Sequence, residues 1–186
     1  MADILLFHSA YGLRPAVLEA AERLRRAGHR VETPDLYRGA IASTLEVALA
    51  LRDRIGRPAL LEQARACAAR ARPDTVLAGF SMGAALAQRV AARDSRFSRL
   101  LLFHGVAELP PKLPARWQVQ AHLAEADPLE PREEVVAWRD ALRALGAAVD
   151  LHFYRGGHLF TDPGLPDHDA ASDAEAWARA GRFLAG

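Results

Sequence analysis

Short apolar runs and amphipathic stretches alternate along the whole chain. Ile4–His8 is a continuous apolar run, as expected of a strand buried on both faces. Pro15–Ala27 carries Val17, Leu18, Ala21 and Leu24 at helical spacing, with Pro15 suited to the first turn and Gly28 to the C-terminal cap. Arg30–Thr33 reads as a second strand, closed by Pro34. Leu45–Ile55 and Pro58–Arg70 read as two helices divided by Gly56. Thr75–Ala78 reads as a strand and Met82–Arg93 as the helix after it. Beyond these come a strand at Leu100–His104 and a proline-rich turn and loop at Leu109–Pro114. A strand at Val119–Leu123 and a helix at Arg132–Leu145 follow. The last strand is Val149–Tyr154 and the closing helix Ala170–Leu184. This order predicts right-handed crossovers and a compact, mainly parallel sheet of about six strands with helices on both faces, in one domain over residues 1–186. There is no repeat, linker or low-complexity tract.

Bulk composition narrows the field without choosing a function. With 51% hydrophobic and 25% charged residues the chain has an ordinary globular make-up. A net charge of +1, with acids interspersed among the 24 basic residues, offers no general attraction to nucleic acid or to a membrane surface. No segment approaches the length of a membrane span, and the N-terminus has no basic stretch of a signal peptide. The single cysteine, Cys67, excludes an intrachain disulfide and fits a reducing compartment, so a cytoplasmic location is expected. Within its Ala-rich helix Cys67 reads as a packed thiol rather than a nucleophile.

The most specific chemistry lies at Gly79-Phe80-Ser81-Met82-Gly83, between an apolar strand and an Ala/Leu-rich helix. Strand, sharp turn and helix are the setting of a nucleophile elbow. The turn strains the serine backbone, and Gly79 and Gly83 let strand and helix approach where a Cβ would clash. The helix start aims N–H groups and a positive dipole end at the space above Ser81 Oγ. A serine hydroxyl needs a base, best a histidine held in one tautomer by an acid. On the hydrolase version of such a sheet the order is serine, acid, histidine, with acid and base in loops at the carboxyl ends of later strands.

Of seven histidines, His158 fits best, since it follows the last strand in Gly156-Gly157-His158-Leu159-Phe160. His122 and His152 fall inside strands and read as packed groups. His29 and His168 read as surface residues. His8 and His104 end strands, where packing or support of the site is expected. For the acid, Ala124-Glu125-Ala126-Asp127-Pro128-Leu129-Glu130 follows the strand Val119–Leu123. Asp127, fixed by Pro128, is the first choice, Glu125 the competitor and Glu130 the weaker one. The oxyanion donors are assigned to the backbone N–H groups of Met82 and Ala10, with Tyr11 as the alternative to Ala10. The histidines lack metal-ligand spacing, so no zinc site is expected.

Four segments together resemble the dienelactone hydrolase family of α/β hydrolases. They are His8-Ser9-Ala10-Tyr11-Gly12-Leu13, Pro34-Asp35-Leu36-Tyr37, the Ser81 elbow, and Asp127-Pro128 with Gly157-His158-Leu159-Phe160-Thr161-Asp162. Order and approximate spacing match over nearly the whole chain. The resemblance implies an α/β-hydrolase fold and a triad of Ser81, Asp127 and His158 with no metal or organic cofactor. The best-known members have cysteine at the position of Ser81 and glutamate at that of Ser9. The expected substrate is a small ester, thioester or lactone, and the expected state a monomer or homodimer. A non-catalytic binding protein on the same fold is the rival reading. With no insertion large enough for a cap, the loops His8–Leu13, Arg38–Ser43, His104–Pro114 and Gly156–Pro166 are expected to wall a shallow site that prefers short acyl groups. Ser9, Tyr11, Arg38, Phe80 and Phe160 are the candidate substrate contacts, with Trp117 a further candidate for the lining.

Overall fold

A computed structural model describes all residues, 1–186. Twelve regular elements follow in the order β1 (Asp3–Phe7), α1 (Pro15–Arg26), β2 (Arg30–Glu32), α2 (Leu45–Ile55), α3 (Arg57–Arg70), β3 (Val76–Phe80), α4 (Met82–Ala91), β4 (Arg99–Phe103), β5 (Gln118–Ala124), α5 (Arg132–Ala144), β6 (Ala148–Tyr154) and α6 (Ala170–Ala185). The six strands form one sheet in the order β2-β1-β3-β4-β5-β6, and every pairing is parallel. Parallel strands require crossovers, and these put helices on both faces.

Side-chain alternation along the strands divides the core in two. Leu5, Phe7, Leu77, Leu100, Leu102, Val119 and Ala121 face α2, α3, α4 and α5, and Trp117 and Leu60 are sealed in the same layer. Ile4, Leu6, Val76, Ala78, Leu101 and Phe103 face α1 and α6, which contribute Val17, Ala21, Leu24, Trp177, Ala180 and Leu184. Cys67 is half-buried against the first of these layers. No helix is long and apolar enough to cross a membrane.

The strand order reverses direction between β1 and β3, because the chain leaves β1 for β2 on one side and returns to β3 on the other. Ligands on open α/β sheets bind at such a switch point, beyond the carboxyl ends of the strands. Residues 8–13 leave β1 at that crevice, and Ser81 leaves β3 beside them.

Candidate active site

The elbow strand is longer than the sequence pattern indicates. β3 runs through Gly79 and Phe80, so Ser81 is the first residue off the sheet and α4 begins at Met82. Ser81 adopts φ 51° and ψ −112°, a left-handed conformation that costs a non-glycine residue on the order of 1–3 kcal/mol. Its N–H donates to Phe103 O at 2.7 Å and its carbonyl accepts from Ala85 N at 3.0 Å, which fasten the turn on both sides. The flanking glycines are there for space. A Cβ on Gly79 would lie 2.3 Å from Gly83 C, and one on Gly83 would lie 2.3 Å from Phe7 O. Strand β3, helix α4 and strand β1 therefore touch backbone to backbone, which brings the residues after β1 alongside Ser81.

Ser81, His158 and Asp127 form one continuous relay. Ser81 Oγ lies 2.7 Å from His158 Nε2, and His158 Nδ1 lies 2.5 Å from Asp127 Oδ2. An ionised carboxylate only accepts, so the imidazole proton belongs on Nδ1 and Nε2 faces the serine hydroxyl as an acceptor. Asp127 is 4% exposed, and its other oxygen accepts from Leu129 N at 2.9 Å. Glu125 points away, exposed and paired with Arg132 at 3.3 Å.

The His158 loop must cross the ends of β5 and β4 to reach Ser81, and several ties hold it there. Gly156 has φ 100°, and a Cβ on Gly157 would meet Asp167 Cγ at 2.6 Å. The Gly157 and Leu159 N–H groups donate to Asp167, one to its carbonyl and one to its carboxylate, both at 2.9 Å. Asp162 pairs with Arg14 at 3.3 Å, and His104 Nε2 meets Thr161 Oγ1 at 2.7 Å. Burial holds His104 well below the usual histidine range, so the contact is made by a neutral ring.

The loop after β1 is braced from behind. His8 Nε2 accepts from Leu36 N at 3.1 Å, which leaves Nδ1–H to donate to Ser9 O at 2.7 Å. Burial lowers the His8 pKa and keeps this neutral tautomer. Tyr37 packs edge-on to His8 and donates its hydroxyl to Met82 Sδ at 3.4 Å. The Pro34–Tyr37 segment is thus a buttress for the loop and for Met82. The Tyr11 N–H donates to Ser9 Oγ at 3.2 Å, whereas the Ala10 N–H takes part in none of the protein's hydrogen bonds, and Met82, as the first residue of α4, has no acceptor for its N–H within the helix.

A cavity of about 420 Å³ opens over Ser81 and His158. Its walls differ from those the sequence predicts. Ser9, Ala10 and Tyr11 line it, as do Val106, Leu159 and Leu129, but Arg38–Ser43 does not. Arg38 is exposed at φ 53°, and Ala42 instead ties the loop from outside through its N–H to Tyr11 O at 2.9 Å. Phe80 turns to the opposite face, where it packs with Phe103 and Trp177 and borders a separate cavity of about 300 Å³. Phe160 and Trp117 are 0% exposed core residues. Strand alternation and the inward turn of the β6 loop send these aromatics into the core. The missing walls come from helices: Leu45, Leu49 and Arg52 of α2, Arg57 and Leu60 of α3, and Ala85, Leu86 and Arg89 of α4. Only the apolar periodicity of α2 could have signalled this, and periodicity does not say which surface a helix covers.

Glu130 also lines the cavity. The His158 ring meets Asp127, not Glu130. Burial pushes the Glu130 carboxyl up to about 7, opposed by the attraction of His158 and a hydrogen bond from Val106 N–H, and reinforced by Asp127 and Glu134. His122, placed inside β5, is a packed residue as its position predicts. It is bonded to Tyr154 OH at 2.8 Å and Gln120 Oε1 at 3.0 Å, and burial lowers its pKa to about 3. No cluster of three or more His, Cys, Asp or Glu side chains is arranged to hold a metal.

The model of the dienelactone hydrolase family matches residues 2–186. A search of curated protein sequences returns no match. Among solved structures, a dienelactone hydrolase-like promiscuous phosphotriesterase from metagenomic libraries superposes with a TM-score of 0.81 at 21% identity, over 100% of this chain and 86% of that one. Thermogutta terrifontis esterase 2, in a form phosphorylated by paraoxon, gives 0.74 at 17% identity over 98% and 81%. The RedJ thioesterase of Streptomyces coelicolor prodiginine biosynthesis gives 0.69 at 17% identity over 98% and 85%. At these identities the structures show a shared fold, the α/β-hydrolase sheet.

Proposed function

Since the chain belongs to the dienelactone hydrolase family, we propose that it is a serine hydrolase cleaving a small ester, thioester or lactone through an acyl-enzyme on Ser81. The observation that carries the proposal is the unbroken relay from Ser81 Oγ to His158 Nε2 and from His158 Nδ1 to Asp127, built on a strained elbow.

Ser81 Oγ attacks the substrate carbonyl as its proton passes to His158 Nε2, and the carbonyl electron pair moves onto oxygen. The resulting oxyanion takes hydrogen bonds from the Met82 and Ala10 N–H groups. Ala10 is preferred over Tyr11 because the Tyr11 N–H is already engaged by Ser9 Oγ. The bond to the leaving group breaks as His158 returns the proton to it, leaving the acyl group on Ser81. Water repeats the sequence, giving its proton to His158 and freeing the acid and Ser81. Asp127 remains ionised throughout and stabilises the imidazolium. The named relatives act on phosphotriesters, esters and thioesters, which supports an ester-like bond as target. The lone Cys67 supports a reducing, cytoplasmic setting.

The test is labelling with a fluorophosphonate, followed by hydrolysis of a graded panel of esters, thioesters and lactones. Wild type should label and turn over, and Ser81→Ala should do neither while remaining folded. Labelling that persists in Ser81→Ala, or never occurs in wild type, overturns the proposal.

A further inference from the structure

Glu130 brings to the catalytic cavity a carboxyl that the relay does not use. It lines the cavity with Ser81 and His158, among the apolar side chains of Met82, Val106, Leu129 and Leu159. Its place depends on Gly105, the second residue beyond β4. A Cβ on Gly105 would lie 3.0 Å from Ser81 O and 3.2 Å from Glu130 Oε1, so the missing side chain lets the carboxyl close in on the nucleophile's backbone. The Val106 N–H donates to the carboxyl. None of the protein's ion pairs includes it. A carboxylate can accept about four hydrogen bonds, and one left short of them in an apolar wall is costly. The rise of its pKa to about 7 through burial reflects that shortfall.

The sheet order tells which part of a substrate Glu130 faces. Ala10, an oxyanion donor in the reading above, follows β1 on one flank of the β3 elbow. Gly105 and Glu130 follow β4 and β5 on the other flank, from which the His158 loop also arrives. A leaving oxygen must face His158 to receive its proton. Glu130 therefore borders the leaving group and not the oxyanion. Charge then selects the group it meets. Arg52, Arg57 and Arg89 line the same cavity and oppose a cationic leaving group. A hydroxyl is neutral, and it donates to a carboxylate.

We propose that Glu130 selects the leaving group by accepting a hydrogen bond from a second hydroxyl on the departing alcohol, so that monoesters of diols and polyols are preferred over esters of simple alcohols. The proposal rests on the serine-hydrolase reading above. Bonds form and break as described there, and Glu130 orients the alcohol without exchanging a proton with it.

The experiment compares 2-hydroxyethyl acetate with 2-methoxyethyl acetate, followed by acid release. The two share an acyl group and an oxygen at the same place in the leaving group, but only the first leaving group can donate. Wild type at pH 8.5 should show kcat/KM about 10-fold higher for the hydroxyethyl ester, as expected of one hydrogen bond to a charged group. At pH 6 the ratio should fall to about twofold, because the protonated Glu130 carboxyl donates to a methoxy oxygen as readily as to a hydroxyl. His158, Asp127 and Glu134, which face Glu130, and the cavity arginines act on both esters alike and cancel in the ratio. Glu130→Leu should bring the ratio to one at both pH values. Glu130→Gln keeps an acceptor and should retain about a threefold ratio that no longer depends on pH. A wild-type ratio near one at pH 8.5, a wild-type ratio that does not change with pH, or a ratio that survives in Glu130→Leu overturns the assignment. If wild type cleaves neither ester, nor phenyl acetate, the hydrolase reading has failed and the assignment falls with it. Equal cleavage of both esters leaves the hydrolase reading standing and removes this assignment alone.

Discussion

Ser81 and Arg89 stand two turns apart on one segment of chain, and they are held in different ways. Around Ser81 the backbone sets every position: a positive φ, glycines in van der Waals contact with three elements, and hydrogen bonds to the Phe103 carbonyl and from the Ala85 N–H. Around Arg89 only a helix face lining the cavity sets the position. Reacting groups must be held within a fraction of an ångström, which backbone packing achieves. A cavity wall away from the reacting atoms tolerates looser side chains. The rigid half should therefore fail all at once under substitution, and the side-chain half by degrees.

The largest effect is expected at the relay. Ser81→Ala or His158→Ala should lower kcat by about 10⁶-fold, measured on the best ester of the panel, with little change in stability. Near-normal turnover in His158→Ala would move the base elsewhere. Asp127→Asn should cost about 10⁴-fold, because the amide favours the wrong imidazole tautomer. Glu125→Gln, on an exposed residue paired with Arg132, should stay within about twofold. The reverse ranking would end the assignment of Asp127.

The elbow's packing can be broken without touching a side chain of the relay. Gly83→Ala puts a Cβ against Phe7 O and should cost about 3 kcal/mol or more in urea unfolding. Gly181→Ala on α6 meets nothing within 4 Å and should instead stabilise by about 0.5–1 kcal/mol. Equal effects would show that the elbow is not close-packed.

Glu130 joins the two halves and should give a smaller, pH-dependent effect. Burial raises its carboxyl from 4.5 to about 7, so the folded protein holds this proton more tightly than the unfolded chain does. The corresponding stability is complete below about pH 4.5 and is lost as pH rises to 7. Glu130→Gln stays neutral. Relative to wild type it should gain on the order of 1–2 kcal/mol between pH 4.5 and pH 8, allowing for partial exposure. Urea unfolding at both pH values checks this, and a constant difference would remove Glu130 as the cause. The smallest effect is expected at Arg38→Ala, whose exposed side chain lies outside the cavity. Both kcat/KM and melting temperature should stay close to wild type.

Much of this protein was readable from residue order. The strand–turn–helix around Ser81 and the alternation from β1 to α6 depend on local periodicity and on glycine, proline and apolar runs, which are written contiguously. The pairing of Asp127 and His158 with Ser81 was legible because loops that follow parallel strands all emerge at one sheet edge. Phe80, Phe160 and Arg38 were misjudged for a common reason. Proximity in sequence to Ser81, His158 or the Pro34–Tyr37 segment does not fix which way a side chain turns. Phe80 alternates to the α1/α6 face, Phe160 turns under its own loop, and Arg38 points to solvent.

From sequence alone one could reach the parallel sheet, the elbow and the juxtaposition of Ser81, Asp127 and His158, because each rests on short-range stereochemistry or on a rule of chain order. The cavity wall of α2, α3 and α4, the buttress from His8 to Leu36, the free Ala10 N–H beside an occupied Tyr11 N–H and the burial of Glu130 all needed the folded chain. They arise where segments tens of residues apart come into contact, and contact, burial and local dielectric are properties of packed neighbours that no single stretch of sequence contains.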